Sequence, residues 1–362
     1  MKISHLQASF LIVSTIFPTA VLTVPKAVGG YSMQSAWVSI LIATALALFT
    51  AYVIATVCKK HQGQTIFQII EKLVGGKASK VLGILFSFYY FSVFFYVLYQ
   101  FSDFMTSSVM PETPSVVFHI ILVLQVMYAL HLGIEVMARA NSIIIFFALA
   151  TFALSMLLIF KDLEWQHLLP LTEVPFSRIL LGAYPPFAWF SEVTIIWLLV
   201  PYLRYADKVR KTALFGVAIT GSLLLGTIVG TLLVYNPNYI TFLKYPTFNV
   251  FREIKVANVF QRVDILFITV WIGTMVMKAA LLMFGAVYCL CEPFKVNQRG
   301  AILLPIALLG VMYANSSWRC TQHLDDYSVY TFPIFALFFN ILLPFVLFLI
   351  TFLRRNRTVF ED

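Results

Sequence analysis

Glu192 and Lys278 each stand deep inside a long run of otherwise uncharged, mostly apolar residues. An ionised side chain at the centre of a bilayer costs about 2.5 to 3.5 kcal/mol on insertion scales, so it is kept for a partner or a task. Their opposite signs allow two arrangements. They pair as a structural lock, or they face a cavity in which Glu192 caps a half-helix and Lys278 supplies a fixed positive charge. A titrating Glu192 that couples to protons is a third. Thr274 falls one turn before Lys278 on the same helical face.

Glu192 closes the segment Tyr184-Pro185-Pro186-Phe187-Ala188-Trp189-Phe190-Ser191-Glu192, and a second proline-broken segment runs Phe17-Pro18-Thr19-Ala20-Val21-Leu22-Thr23-Val24-Pro25. A proline inside a helix removes one N–H donor and displaces the carbonyl four residues back, at about 3 kcal/mol or more. In hydrocarbon no bulk water relieves that loss, and irregular backbone persists only inside protein or along a hydrated cavity. One such proline usually marks a kink. Two at corresponding positions, one with a carboxylate, point to a site. Half-helix N-termini favour a carboxylate and exposed carbonyls favour an ammonium, so together they suit a zwitterion such as an amino acid. The candidate ligand-binding residues are Phe17, Pro18, Thr19 and Ala20, then Trp189, Phe190, Ser191 and Glu192, with Thr274 and Lys278. Tyr96 and Tyr99, from an aromatic-rich helix, complete the set.

The elements that must hold these residues are membrane spans. Of the 362 residues 60% are hydrophobic and 11% charged, whereas soluble domains carry about a quarter charged residues. A hydrocarbon core about 30 Å thick needs about 20 apolar residues per helix. Ten such runs are expected, at Leu6–Gly29, Trp37–Val57, Val81–Ser102, Ser115–Leu130, Ala140–Phe160, Ile179–Tyr202, Thr212–Tyr235, Ile265–Leu290, Ala301–Asn315 and Val329–Leu353. The breaks fall in the first and sixth. No linker or soluble module separates the runs, so one membrane domain, 1–362, is expected. If five spans form each half, the second half starts on the opposite face, and the repeat is inverted. Its expected halves are 1–160 and 175–353, followed by a cytoplasmic tail at 354–362. The connection 236–261 places Phe248, Phe251 and Ile254 at helical spacing, a candidate capping helix.

The net charge of +9 is accounted for by position. Lys59, Lys60, Lys72, Lys77, Lys80, Arg204, Lys208, Arg210, Lys211, Arg354 and Arg355 cluster on the side of the N-terminus, which the positive-inside rule makes cytoplasmic. An even number of spans puts both termini there. The charge implies a lipid bilayer as partner and no nucleic acid. Cys58, Cys289, Cys291 and Cys320 lack disulfide or metal spacing, so no metal or other cofactor is expected. No nucleophile, base and oxyanion set can be assembled, and an enzyme is not expected.

The two broken segments resemble those of the amino acid, polyamine and organocation transporter superfamily. A narrower resemblance rests on Ile3-Ser4-His5-Leu6-Gln7, on Ser191-Glu192-Val193 through Leu199-Val200-Pro201-Tyr202-Leu203, and on Arg262-Val263-Asp264-Ile265-Leu266 through Trp271. These are similar to the permease-type B subunits of bacterial spore nutrient germinant receptors. That resemblance implies an all-α, leucine-transporter-like fold of five-plus-five inverted repeats with discontinuous helices 1 and 6. It also implies a place in the cell membrane or spore inner membrane, A-type and C-type partner subunits, and a small germinant, such as an amino acid, sensed at the breaks. A secondary amino-acid transporter and a partner-gated water or ion conduit remain open alternatives. Pro18, Ala20 and Ser191 stand where the superfamily has glycines, which puts its carboxylate-binding geometry in doubt here.

Overall fold

A computed structural model describes residues 2–61, 63–170, 173–254, 263–296, 298–317 and 321–358. Arg262, Trp318, Cys320 and the end of the expected tail, 359–362, lie outside the described residues. Among those described, nine stretches are long and apolar enough to cross a membrane. The first, His5–Lys60, has 56 residues, about 84 Å at 1.5 Å per residue and far too long for one crossing. It divides at Met33, whose left-handed φ of 44° reverses the chain between helices His5–Ser32 and Ala36–Lys60. The crossings therefore number ten. This is an all-α membrane protein.

The first span, His5–Ser32, packs on the sixth (Phe176–Tyr202) and seventh (Val209–Val234), and the second span packs on the same two. The third (Gly76–Phe104) packs on the eighth (Asp264–Cys291), which also meets the fourth (Ser115–Leu132), the fifth (Ile134–Ile159) and the ninth (Arg299–Ser317). The tenth, Tyr327–Leu353, lies against the sixth and second. In the sixth span 78% of the most apolar window is buried, against 17% in the ninth, so the sixth is central and the ninth faces lipid. Close approach on the seventh span uses Gly226 and Gly230, where a Cβ would lie 2.6 Å from Phe152 and 3.0 Å from Met156, and adds Gly216 and Gly221 to them. A Cβ at Gly216 would lie 2.9 Å from Ile12 and one at Gly221 2.5 Å from Thr44, whereas Ala218 and Ser222 are exposed.

Both faces of the core are closed by sequence-distant contacts. At the end holding the N-terminus, Ser4 and Gln7 form a reciprocal capping box, and Ile3 forms a parallel bridge with Leu203. Ile3 N–H donates to Tyr202 O at 2.8 Å, and Arg204 N–H donates to Ile3 O at 2.9 Å. At the other end the helix Pro246–Glu253 covers the bundle with Phe248 and Phe251 buried, so this capping helix sits on protein. Asp103 ties the adjoining loop down by accepting from Lys244 at 2.9 Å and from the Tyr245 hydroxyl.

Candidate functional site

The first span remains helical from His5 to Ser32 with Pro18 and Pro25 inside it. Its interruption is therefore one of hydrogen bonding rather than of backbone path, in contrast to the irregular segment expected from sequence. Pro25 cannot donate to the carbonyl of Val21, which instead accepts from Thr247 Oγ1 at 2.6 Å. Pro18 O accepts from Trp271 Nε1 at 2.8 Å, and Thr19 O from Thr23 Oγ1 at 2.9 Å and Gln100 Nε2 at 3.4 Å. Thr247 thus serves the one of these carbonyls that a proline strips of its donor, while Trp271 and Gln100 add bonds that tie this stretch to the eighth and third spans.

The sixth span changes pitch. It is α-helical over Phe176–Phe190, with Pro185 and Pro186 inside, tightens to a 3-10 turn at Ser191–Ile195, and resumes at Ile196–Leu199. The distortion begins at Ser191, later than the proline pair that signalled it. The tenth span is distorted too, by wide π-type turns at Tyr327–Thr331 and Phe338–Leu342. Both kinds of departure recur at functional sites in otherwise regular helices.

At the crossing of these elements Lys278 Nζ donates to Glu192 Oε2 at 2.7 Å and to Thr19 Oγ1 at 2.8 Å. Glu192 is 3% exposed and Lys278 is fully buried. One ammonium thus joins the first, sixth and eighth spans, the paired arrangement of the two open from sequence. Beside it, Asn340 Nδ2 donates to Tyr89 Oη at 2.5 Å and to Ser191 Oγ at 3.2 Å, while its Oδ1 accepts from Thr194 Oγ1 at 2.7 Å. Ser191 Oγ donates to Ala188 O at 2.6 Å. The polar cluster therefore reaches the third and tenth spans as well.

Among the described residues four buried polar atoms in these spans have no hydrogen-bond partner: Glu192 Oε1, Gln100 Oε1, Trp189 Nε1 and Trp197 Nε1. Each orphaned group costs about 1 to 3 kcal/mol, more when charged. They offer two acceptors and two donors to any group that reaches them.

The candidate residues separate into groups. Thr19, Glu192 and Lys278 are in direct contact, with Ser191 adjacent and Ala20 buried in the same stretch of the first span. Tyr96 lies toward the capped face, its hydroxyl 2.9 Å from Ser328 Oγ and its ring stacked on Phe332, which Trp189 also meets. Phe190 is buried and Tyr99 half-buried. Phe17 and Thr274 instead line a cavity of about 40 Å³ bounded by Val21, Thr151, Thr227, Thr247 and Trp271. At about 10 to 15 Å³ per water that space holds a few waters and no amino acid. Asn340, Thr194, Tyr89 and Gln100 were not anticipated. A mid-span amide is itself a signal, since its polar group must find a partner inside the protein, and Asn340 and Gln100 carry it. Among the described residues no group of His, Cys, Asp and Glu side chains is placed to hold a metal ion.

The fold and its distorted central helices define the class. MhsT in complex with L-phenylalanine superposes over 96% of this chain and 98% of its own, with a TM-score of 0.61 at 14% identity. A Na+-coupled sialic acid symporter in a substrate-bound, outward-open state matches 94% of this chain and 79% of its own, with a TM-score of 0.66 at 11% identity. At those identities the likeness is one of fold, that of leucine-transporter-type membrane proteins. Within that class the chain belongs to the spore permease family of spore germination proteins, whose model matches residues 2–323. Spore germination protein KB of Bacillus subtilis (strain 168) is 21% identical over 98% of this chain and 96% of its own, and spore germination protein B2 of the same organism 20% over the same shares. The family is one of spore permeases, and the fold is shared with transporters.

Proposed function

We propose that this chain is the ligand-sensing membrane subunit of a spore nutrient receptor, and that it binds a small germinant, an amino acid, where the first, third, sixth and eighth spans meet. The observation that carries the reading is the buried Thr19, Lys278 and Glu192 contact, with Glu192 Oε1 left without a donor. A zwitterion supplies what the orphaned atoms lack: its ammonium donates to Glu192 Oε1 and Gln100 Oε1, and its carboxylate accepts from Trp189 Nε1. Thr19, Ala20, Ser191, Glu192 and Lys278 are at most 3% exposed, so a ligand reaches them only when the helices part. A ligand that binds the parted state better shifts the population toward it, and that shift is the signal passed to A-type and C-type partner subunits. Both termini lie in the cytoplasm, and the halves 1–160 and 175–353 form the two repeats.

The test is binding of radiolabelled amino acids, taken one at a time, to the purified protein. At least one binds; Ala20→Phe abolishes that binding by filling the packed centre, and Glu192→Gln weakens it about tenfold, equivalent to about 1.4 kcal/mol. Binding unchanged in both variants overturns the site. A transporter is the second reading, supported by the whole-chain superposition on MhsT. Concentrative uptake into vesicles by this chain alone establishes it, and its absence alongside binding favours a sensor.

A further inference from the structure

On the face that carries the N-terminus, the start of the third span and the turn after the eighth enclose a polar cavity of about 500 Å³. Lys77 and Lys80 enter it from the first residues of the third span and Lys295 from that turn. Among the described residues none of the three has an ion-pair partner. Lys80 lies 5.7 Å above the ring of Phe294. Glu71 lines the cavity as well and offsets one of the three charges.

The backbone that carries the three lysines is held by packing, while their side chains are exposed. Ser79 Oγ donates to Phe67 O at 3.0 Å, fixing the start of the third span to the short helix Ile66–Val74. A Cβ on Gly83 would lie 2.5 Å from Pro293 Cγ and 2.8 Å from Cys289 O, so the third span and the end of the eighth touch at van der Waals distance. The turn closes by Lys295 N–H to Glu292 O at 3.1 Å and Val296 N–H to Cys291 O at 3.0 Å. Lys295 has a φ of 55°, the left-handed position after a helix where glycine is usual and a side chain carries strain.

We propose that this cavity binds a phosphate group, that of an anionic phospholipid of the leaflet on this side. Unpaired ammonium groups are point-charge ligands for phosphate, and basic pockets between spans at the cytoplasmic interface take anionic headgroups. The lipid source rests on what lies beside the lysines. Val81, Ile84, Leu85 and Phe88 follow Lys80 on the third span and are 39 to 59% exposed, a surface for acyl chains directly beyond a headgroup in the cavity. The site is separate from the Glu192 cluster, and the inference does not depend on the proposed germinant.

The full-length protein is reconstituted in phosphatidylcholine nanodiscs titrated with phosphatidylglycerol, and retained lipid is counted by native mass spectrometry after extraction. Wild type retains phosphatidylglycerol; the triple variant Lys77→Gln, Lys80→Gln, Lys295→Gln loses affinity on the order of a hundredfold, at about fivefold per lysine. A triple arginine variant keeps the charge and the binding, which separates loss of the site from misfolding. Millimolar inorganic phosphate that displaces no lipid supports the lipid source, and phosphate that protects the protein equally well supports the phosphate site with a soluble source. Equal phosphatidylglycerol retention by wild type and the glutamine variant, or retention by neither, overturns the proposal.

Discussion

Removing one partner of the Lys278 and Glu192 pair tests the centre of the molecule most directly. In Lys278→Met the methionine keeps the length of the side chain and loses the ammonium, leaving the 3%-exposed Glu192 and the Thr19 hydroxyl without their donor. Breaking a buried pair in this way costs about 3 to 5 kcal/mol, because the remaining charge stays desolvated and uncompensated. Glu192→Gln is milder. The amide still accepts from Lys278, which keeps its 2.8 Å bond to Thr19, so a charge-assisted bond worth about 1.5 to 3 kcal/mol is weakened rather than removed. Replacing both with Lys278→Met and Glu192→Leu removes both charges, and such swaps range from neutral to about 1 to 4 kcal/mol stabilising. The single variants Lys278→Met and Glu192→Leu each strand a buried charge, so their losses do not add, and the cycle they close with the double variant yields a coupling of at least about 3 kcal/mol, above the few tenths seen for independent sites. Equilibrium unfolding in mixed micelles, followed by tryptophan fluorescence, provides the free energies. A Lys278→Met cost below about 1 kcal/mol, or a coupling within about 0.5 kcal/mol of zero, refutes the claim that this pair locks three spans together.

Thr247→Val, which leaves the Val21 carbonyl that Pro25 cannot serve unbonded, lowers unfolding free energy by about 1 to 3 kcal/mol, and the loss shrinks when Pro25→Ala restores the helical N–H. Gly83→Val overfills the contact with Pro293 and Cys289 and lowers it by about 1 to 3 kcal/mol in the same assay. Ile3→Glu places a carboxylate at a fully buried position of the bridge to Leu203, and it is expected to raise protease cutting around residues 203–208 while wild type resists. His61, just past the second span, is held below its usual 6.5 by burial and then by Lys72 and Lys60. Its neutral form is thus the folded one, so its contribution to stability is present above about pH 6.5 and is lost as pH falls through the lowered value. The melting temperature of His61→Gln should depend less on pH than that of wild type between about pH 7.5 and 5.5; parallel curves count against this.

Length, apolar composition and the spacing of charges were enough to define a polytopic all-α chain, because hydrocarbon forces every backbone group into a helix and each crossing needs a fixed number of apolar residues. Glu192 and Lys278 were legible for the same reason: a charge in such a run stands out against its cost. The prolines of the first and sixth spans marked where the hydrogen-bond ladder weakens. Their sequence does not say which donor repairs it, since Thr247 reaches the Val21 carbonyl from more than 200 residues away. Nor does it show that the first span keeps its helical path, or that the tenth is distorted around Asn340. The motif Ile3-Ser4-His5-Leu6-Gln7 was visible as a resemblance, and only the fold brings it against Tyr202 and Leu203. Whether Glu192 and Lys278 pair or stand apart was undecidable from a single chain, because a residue type specifies a charge and its cost. The partner is chosen by which faces of three helices turn toward one another, and that is fixed by packing along their whole lengths.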